Sequence, residues 1–135
     1  MITKYNAKDC TVIVDGVFIT GLGEDMVSWE KEEAYFETAV GAQGDIVKNE
    51  INNDIHTLSI TVQQTSPQYG FLLGLTKRSE PFPVWVSNKP LGITVGGTKA
   101  NIAEAPEISL GASAEDATIS FTVFDGETRL SNKSK

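Results

Sequence analysis

Few side chains in this sequence have the type and spacing that chemistry requires. His56 is the only histidine and Cys10 the only cysteine among 135 residues. A nucleophilic Cys–His pair needs the two in contact, which a sequence does not reveal. Cys10 opens an apolar run, Cys10-Thr11-Val12-Ile13-Val14, with no activating motif around it, and reads as an inert thiol. One His and one Cys also fall short of a zinc ligand set, so no metal site is expected. Glu30, Glu32, Glu33 and Glu37 are dense enough for paired-carboxylate glycoside chemistry, yet a solvated face explains them more simply. Asp45, Glu50 and Asp54 offer oxygen ligands without the spacing of an EF-hand loop. Gly92 to Lys99 resembles a phosphate loop until its order is read: Thr98 separates Gly97 from Lys99, whereas the loop needs Lys directly after Gly. Gly21-Leu22-Gly23 lacks the third glycine of a dinucleotide fingerprint, because position 26 is Met. Asn132-Lys133-Ser134 is a glycosylation sequon without a secretory route. The expectation is a protein that is not an enzyme and uses no cofactor.

The balance of charge points the same way. The net charge is −7, unsuited to tight binding of phosphate backbones, which takes stripes of Lys and Arg. A lone cysteine excludes an intrachain disulfide framework. The N-terminal residues Met1 to Asn6 have no apolar region of the export-signal type, and the longest apolar stretch, Phe71 to Leu75, is far too short for a bilayer. A soluble protein made in a reducing cytoplasm is expected, with no membrane partner. The length suits one domain, residues 1–130, followed by a polar, flexible tail at 131–135.

Most of the chain reads as strands. Residues 10–14 and 17–20 flank Asp15-Gly16, a strong hairpin signal, and Gly21-Leu22-Gly23 ends that unit. Met26 to Val40 reads as a long bent strand or a strand pair, since Trp29, Tyr35, Phe36, Thr38 and Val40 outweigh the helical propensity of Glu30 to Ala34. Gly41 to Asp54 has little periodicity and reads as a long loop with a short strand at Ile46-Val47. From Ile55 to Gln64 alternation is strict: Leu58, Ile60 and Val62 on one face, Thr57, Ser59, Thr61 and Gln63 on the other. Ser66 then caps a helix with Pro67 at its first position, running to about Lys77-Arg78, with Tyr69, Leu72 and Leu73 as its apolar face and Leu75 near the margin. Phe82 to Ser87 is a strand whose Pro81 and Pro83 suggest an edge. Leu91 to Val95 and Lys99 to Glu104 flank a hairpin at Gly96-Gly97, and Ile108 to Leu110 is a further short strand. Ala117 to Phe124 closes the domain, with Ile119, Phe121 and Val123 inward. The expected class is mainly β: an antiparallel sandwich or open barrel with one flanking α-helix.

Across nearly the whole chain, from about Ala7 to about Glu127, the sequence resembles the tail tube proteins of bacteriophages. The resemblance is carried by Glu30-Lys31-Glu32-Glu33 followed by Gly41-Ala42-Gln43-Gly44-Asp45, and by the alternating strand from Asn53 that runs into Gln64-Thr65-Ser66-Pro67 and a short apolar helix. The segment Ala100-Asn101-Ile102-Ala103-Glu104-Ala105-Pro106 adds to it. The resemblance implies a hexameric ring with a shared inner β-barrel, stacked into a hollow tube through which DNA and a tape measure protein pass. The secreted ring protein of type VI secretion shares that architecture. Implied partners are further copies of the chain, tape measure protein, tail initiator or terminator and a sheath. Phage DNA would transit without sequence-specific binding. The implied place is the virion tail, assembled in the host bacterial cytoplasm. The alternatives are a tail initiator or baseplate ring of the same fold, and a monomeric β-sandwich binding module. Within the tube reading, Ser28, Glu30, Glu32, Thr57, Ser59, Thr61 and Gln63 are candidates to line the lumen. Gly41, Gly44, Asp45, Ile46, Val47, Lys48, Glu50 and Ile51 are candidates for a loop between subunits.

Overall fold

The computed structural model describes residues 2–130, so the expected tail at 131–135 lies outside the described residues. In chain order the elements are β1 (Cys10–Val14), β2 (Val17–Phe18), β3 (Leu22–Lys31), β4 (Phe36–Val40), β5 (Ile46–Glu50), β6 (His56–Gln63), α1 (Tyr69–Gly74), β7 (Phe82–Asn88), β8 (Ile93–Asn101), β9 (Asp116–Val123) and β10 (Glu127–Leu130). Short 3₁₀ turns occupy Ala7–Asp9 and Leu75–Lys77. One sheet runs in the order β2-β1-β7-β8-β9-β6-β3, with β10 also paired to β8, while β4 and β5 form a separate two-stranded ribbon. The strand pairs are antiparallel.

Alternation drives the fold. Leu58, Ile60 and Val62 of β6 and Ile119, Phe121 and Val123 of β9 are fully buried, and they share one core with Val12 and Val14 of β1 and Phe82, Val84 and Val86 of β7. Phe82 meets Phe121 edge-on at 6.0 Å between ring centroids. The long sheet therefore curls so that both halves face a common interior, the expected mainly β open barrel. The seam lies between β1 and β3, which are not paired. Open clefts lined by Cys10 and Met26 mark it, so the outer side of β3 stays unpaired among the described residues. Asp15-Gly16 makes the first hairpin, with φ of 51° and 81°, the left-handed pair that a two-residue turn requires.

Several sequence expectations change. Met26 to Val40 resolves as two strands with different partners, β3 beside β6 and β4 beside β5, and β3 begins at Leu22, so Gly21-Leu22-Gly23 starts a strand instead of ending a unit. β2 stops at Phe18. Gly41 to Asp54 is not a loop: β5 pairs with β4 from Phe36↔Glu50 to Val40↔Ile46, with the turn closed by Gly41 N–H to the Asp45 carbonyl at 2.8 Å. The helix starts at Tyr69, because Ser66 is occupied in a preceding turn. Its hydroxyl donates to the Thr20 carbonyl at 2.6 Å, and its carbonyl accepts the Tyr69 N–H at 3.1 Å. Leu72 and Leu75 are buried, and Leu73 is only half-buried. β7 is central, between β1 and β8. Pro81 precedes it, and Pro83 sits at a register shift, where its missing N–H costs no ladder bond. β8 passes straight through Gly96-Gly97, whose glycines serve close approach: a Cβ on Gly96 would lie 2.1 Å from the Val84 carbonyl. Ile108 to Leu110 forms no strand and is exposed. β10 was not expected.

Candidate functional site

The outward face of β3, β6 and β9 is the most distinctive surface. Register sets it: Ser28↔Ser59 and Glu30↔Thr57 across β3 and β6, then Thr57↔Thr122, Ser59↔Ser120, Thr61↔Thr118 and Gln63↔Asp116 across β6 and β9. Because strand side chains alternate, burying Leu58, Ile60 and Val62 forces this hydroxyl set outward. The hydroxyls couple into short cross-strand ladders, with Ser59 Oγ to Ser120 Oγ at 3.2 Å and Thr61 Oγ1 to Thr118 Oγ1 at 3.1 Å. The face is wet and carries little charge, with Glu30 near one end and Asp116 at the other.

Of the candidate lumen residues, Ser28, Glu30, Thr57, Ser59, Thr61 and Gln63 share this face. Glu32 does not. It lies one step past β3, where its N–H donates to the Ile55 carbonyl at 2.9 Å and its carboxylate accepts from Asn53 Nδ2 at 3.0 Å. Thr118, Ser120 and Thr122 of β9 alternate in the sequence as clearly as the β6 set and repeat its polar face, and the β6–β9 register brings the two into one surface, although the lumen candidates leave them out.

The edges of this three-stranded unit are open. β3 pairs with β6 alone, and β9 meets β8 only at Val123 and Thr122. Among the described residues, the side of β3 away from β6, and the side of Asp116–Phe121 away from β6, have no strand partner. Open edges of this length are templates for pairing with another chain.

The candidate inter-subunit residues Gly41, Gly44, Asp45, Ile46, Val47, Lys48 and Glu50 all fall on the β4–β5 ribbon or its turn, and Ile51 at its root. Each ribbon strand is exposed along its whole length. Tyr35, Phe36, Val40, Ile46 and Val47 expose apolar surface, and Lys48 Nζ lies 4.6 Å from the centroid of Phe36. The root is fixed by Ile51 N–H to the Tyr35 carbonyl at 2.9 Å and by Asn53, whose amide reaches Glu32 and Glu33. A two-stranded ribbon covered on neither face is marginal in water.

The residues with chemical potential are dispersed. His56 is buried under Trp29, and its Nδ1 is 2.9 Å from the Asp54 carbonyl, so that nitrogen carries the proton. Cys10 lies beside the β1–β3 seam, and partial burial pushes its thiol above the ordinary 9.0. Among the described residues no group of three or more His, Cys, Asp or Glu side chains is arranged to hold a metal ion. The Gly92–Lys99 stretch lies mostly in β8. No helix among the described residues is long and apolar enough to cross a membrane.

No family model matches the chain, and no curated protein does. Among solved structures, the chain is similar to the tube-terminating cap of the anti-feeding prophage, with a TM-score of 0.59 at 9% identity over 97% of this chain and 95% of that one. It is also similar to the PVC sheath/tube terminator of an extracellular contractile injection system in its extended state, with a TM-score of 0.55 at 9% identity over 95% of this chain and 98% of that one. At such identity the likeness is one of fold, and it runs nearly end to end in both comparisons.

Proposed function

We propose that this chain is a structural protein of a phage-like tail, a ring-forming subunit that terminates a hollow tube. The observation that carries this reading is the nearly full-length likeness of fold to two tube-terminating proteins. The geometry supports the ring. β3 and β9 are both antiparallel to β6 and so parallel to each other. Simple rotation about a ring axis sets the open edge of β3 in one copy beside the open edge of β9 in the next. Head-to-tail contacts of this kind close into rings. Joining the edges in this way turns separate sheets into one barrel whose inner surface is the Ser/Thr/Gln face. Its wall of hydroxyls and amides, with Glu30 and Asp116 at the ends and no Lys or Arg among the outward register partners, offers DNA phosphates no cation to hold them, so they slide. The ribbon β4–β5 then docks on the adjoining ring, a tube subunit or a sheath protein.

A second reading, a tube subunit whose own hexameric rings stack, is supported by the resemblance to tail tube proteins across Ala7 to Glu127. In both readings the particle is a virion tail, with tape measure protein and DNA passing through. Light scattering after size exclusion, with negative-stain microscopy, separates the two. Single rings that bind the ends of preformed tubes are the expected result. Long tubes from the pure chain favour the second reading. A monomer at every concentration and salt overturns both.

A further inference from the structure

The first described residues are basic and uncovered. Lys4 and Lys8 precede the first acid, Asp9, and Ile2 to Asp9 are all exposed, Ile2 at 97%. This segment runs beside the outer edge of β3: Tyr5 shares a cleft with Glu24, Asp25 and Met26, and Lys8 shares one with Leu22 and Met26. The connection from β8 to β9, residues 102–115, is its opposite. It carries Glu104, Glu107 and Glu115 with no Lys or Arg, and Asp116 follows at the start of β9. Ile108 and Leu110 are exposed on it, Leu110 at 83%.

A structureless connection of this length is uncommon in a small domain unless it binds something. It is held in shape by Gln64, whose Nε2 donates to the Ser109 carbonyl and whose Oε1 accepts the Glu115 N–H at 3.0 Å. A cleft of about 280 Å³ opens there, lined by Gln64, Glu107, Ser109, Glu115 and Asp116. Among the described residues, neither Lys4, Lys8 nor any of these four acids is in an ion pair.

We propose that the basic segment of one copy docks on the acidic connection of the next copy, with Lys4 and Lys8 facing Glu104 and Glu107. The inference deepens the ring reading and rests on it. Charge sign and exposed apolar side chains match between the two segments, and the register puts them at one level. Leu22 of β3 faces Val62, and Asp116 of β9 faces Gln63, so these strand ends lie at the same end of the sheet. Parallel placement of β3 beside the next copy's β9 brings the Leu22 end, with Tyr5 and Lys8 alongside, level with the Asp116 end and its acidic cleft. The segment acts as a strap across the joint between subunits. It gives the ring a direction, because the two segments are complementary and neither is self-complementary.

The test is a charge swap in the full chain. Lys4→Glu with Lys8→Glu, and separately Glu104→Lys with Glu107→Lys, should each weaken ring assembly about tenfold at low salt. Screening at about 0.5 M salt should shrink that difference. All four changes together should restore assembly. Lys4→Cys with Glu107→Cys, in a Cys10→Ser background, should give a ladder of linked copies on a non-reducing gel. Wild-type rings that tolerate either reversal, or a swap that restores nothing, overturn the strap and leave the ring reading intact. A disulfide formed within one copy also overturns it. A wild-type chain that stays monomeric overturns the ring and the strap together.

Discussion

The indole of Trp29 stacks on the imidazole of His56, with ring centroids 4.4 Å apart and planes 13° apart. The two sit diagonally across β3 and β6, where Trp29 faces Leu58 and Lys31 faces His56. Gly126 closes the other side, where a Cβ would lie 2.2 Å from His56 Nδ1. The stack fixes the end of the barrel from which the β4–β5 ribbon leaves. A double-mutant cycle of Trp29→Leu and His56→Leu in urea should return a coupling of about 0.5–1.5 kcal/mol. Additive losses would mean that the two rings are merely buried near each other.

Leu72 and Leu73 are neighbours in α1 with different surroundings. Leu72 is fully buried in the core, whereas Leu73 is half-buried. Leu72→Ala should cost about 2–5 kcal/mol in denaturant unfolding, and Leu73→Ala clearly less. Equal losses would show that the helix presents both side chains to the barrel.

Much of the barrel was legible in the sequence because β6 and β9 bury one face and wet the other, and the alternation of Leu58/Ile60/Val62 against Thr57/Ser59/Thr61 follows from that. The ribbon was not legible for the converse reason. Both of its faces are exposed, so Ile46, Val47 and Lys48 obey no burial rule and show no period. Gly96-Gly97 signals a turn as readily as a close approach, and only the position of the Val84 carbonyl tells the two apart. Pro83 misled similarly, since a register shift in a central strand tolerates proline as an edge does. For the candidate surface, alternation found the polar residues. That β3 and β9 are open edges flanking them depends on long-range topology, which local pattern does not carry.

Asp125 ties β8 to the turn after β9. Its carboxylate accepts from Thr98 Oγ1 at 2.5 Å, from Thr98 N–H at 3.2 Å and from Lys99 N–H at 3.0 Å. Partial burial alone would raise its pKa, but the hydrogen bonds from Thr98, Lys99 and its own backbone outweigh that and hold it below the ordinary 3.8. A lowered folded pKa means that the ionised group's contribution is complete above 3.8 and fades as pH falls through the folded value. Asp125→Asn should therefore destabilise the subunit at neutral pH, and the gap from wild type should narrow once acid protonates Asp125. Urea midpoints measured from about pH 6 down to about pH 2.5 check this. A gap that stays constant with pH would assign the loss to shape, not charge.

The ribbon β4–β5 poses the sharpest separation between folding and assembly. Its strand residues are exposed, and Val40, Ile46 and Val47 leave more than half of their surface in water. Its attachment is the Tyr35–Ile51 backbone bond and the Asn53 contacts with Glu32 and Glu33. Removing it takes almost nothing from the core. Burying those side chains against another subunit, in contrast, is worth about 1.5–3 kcal/mol for each large one fully covered. Replacing residues 36–50 by a short Gly/Ser linker should leave a folded subunit with a thermal midpoint within a few degrees of wild type, because loop length alone changes closure entropy slowly. The same variant should fail to engage the ends of preformed tubes by negative-stain microscopy. Normal engagement would show that the ribbon is dispensable. A subunit that no longer folds would show that the ribbon stabilises the barrel through Lys31, Tyr35 and Ile51 at its root.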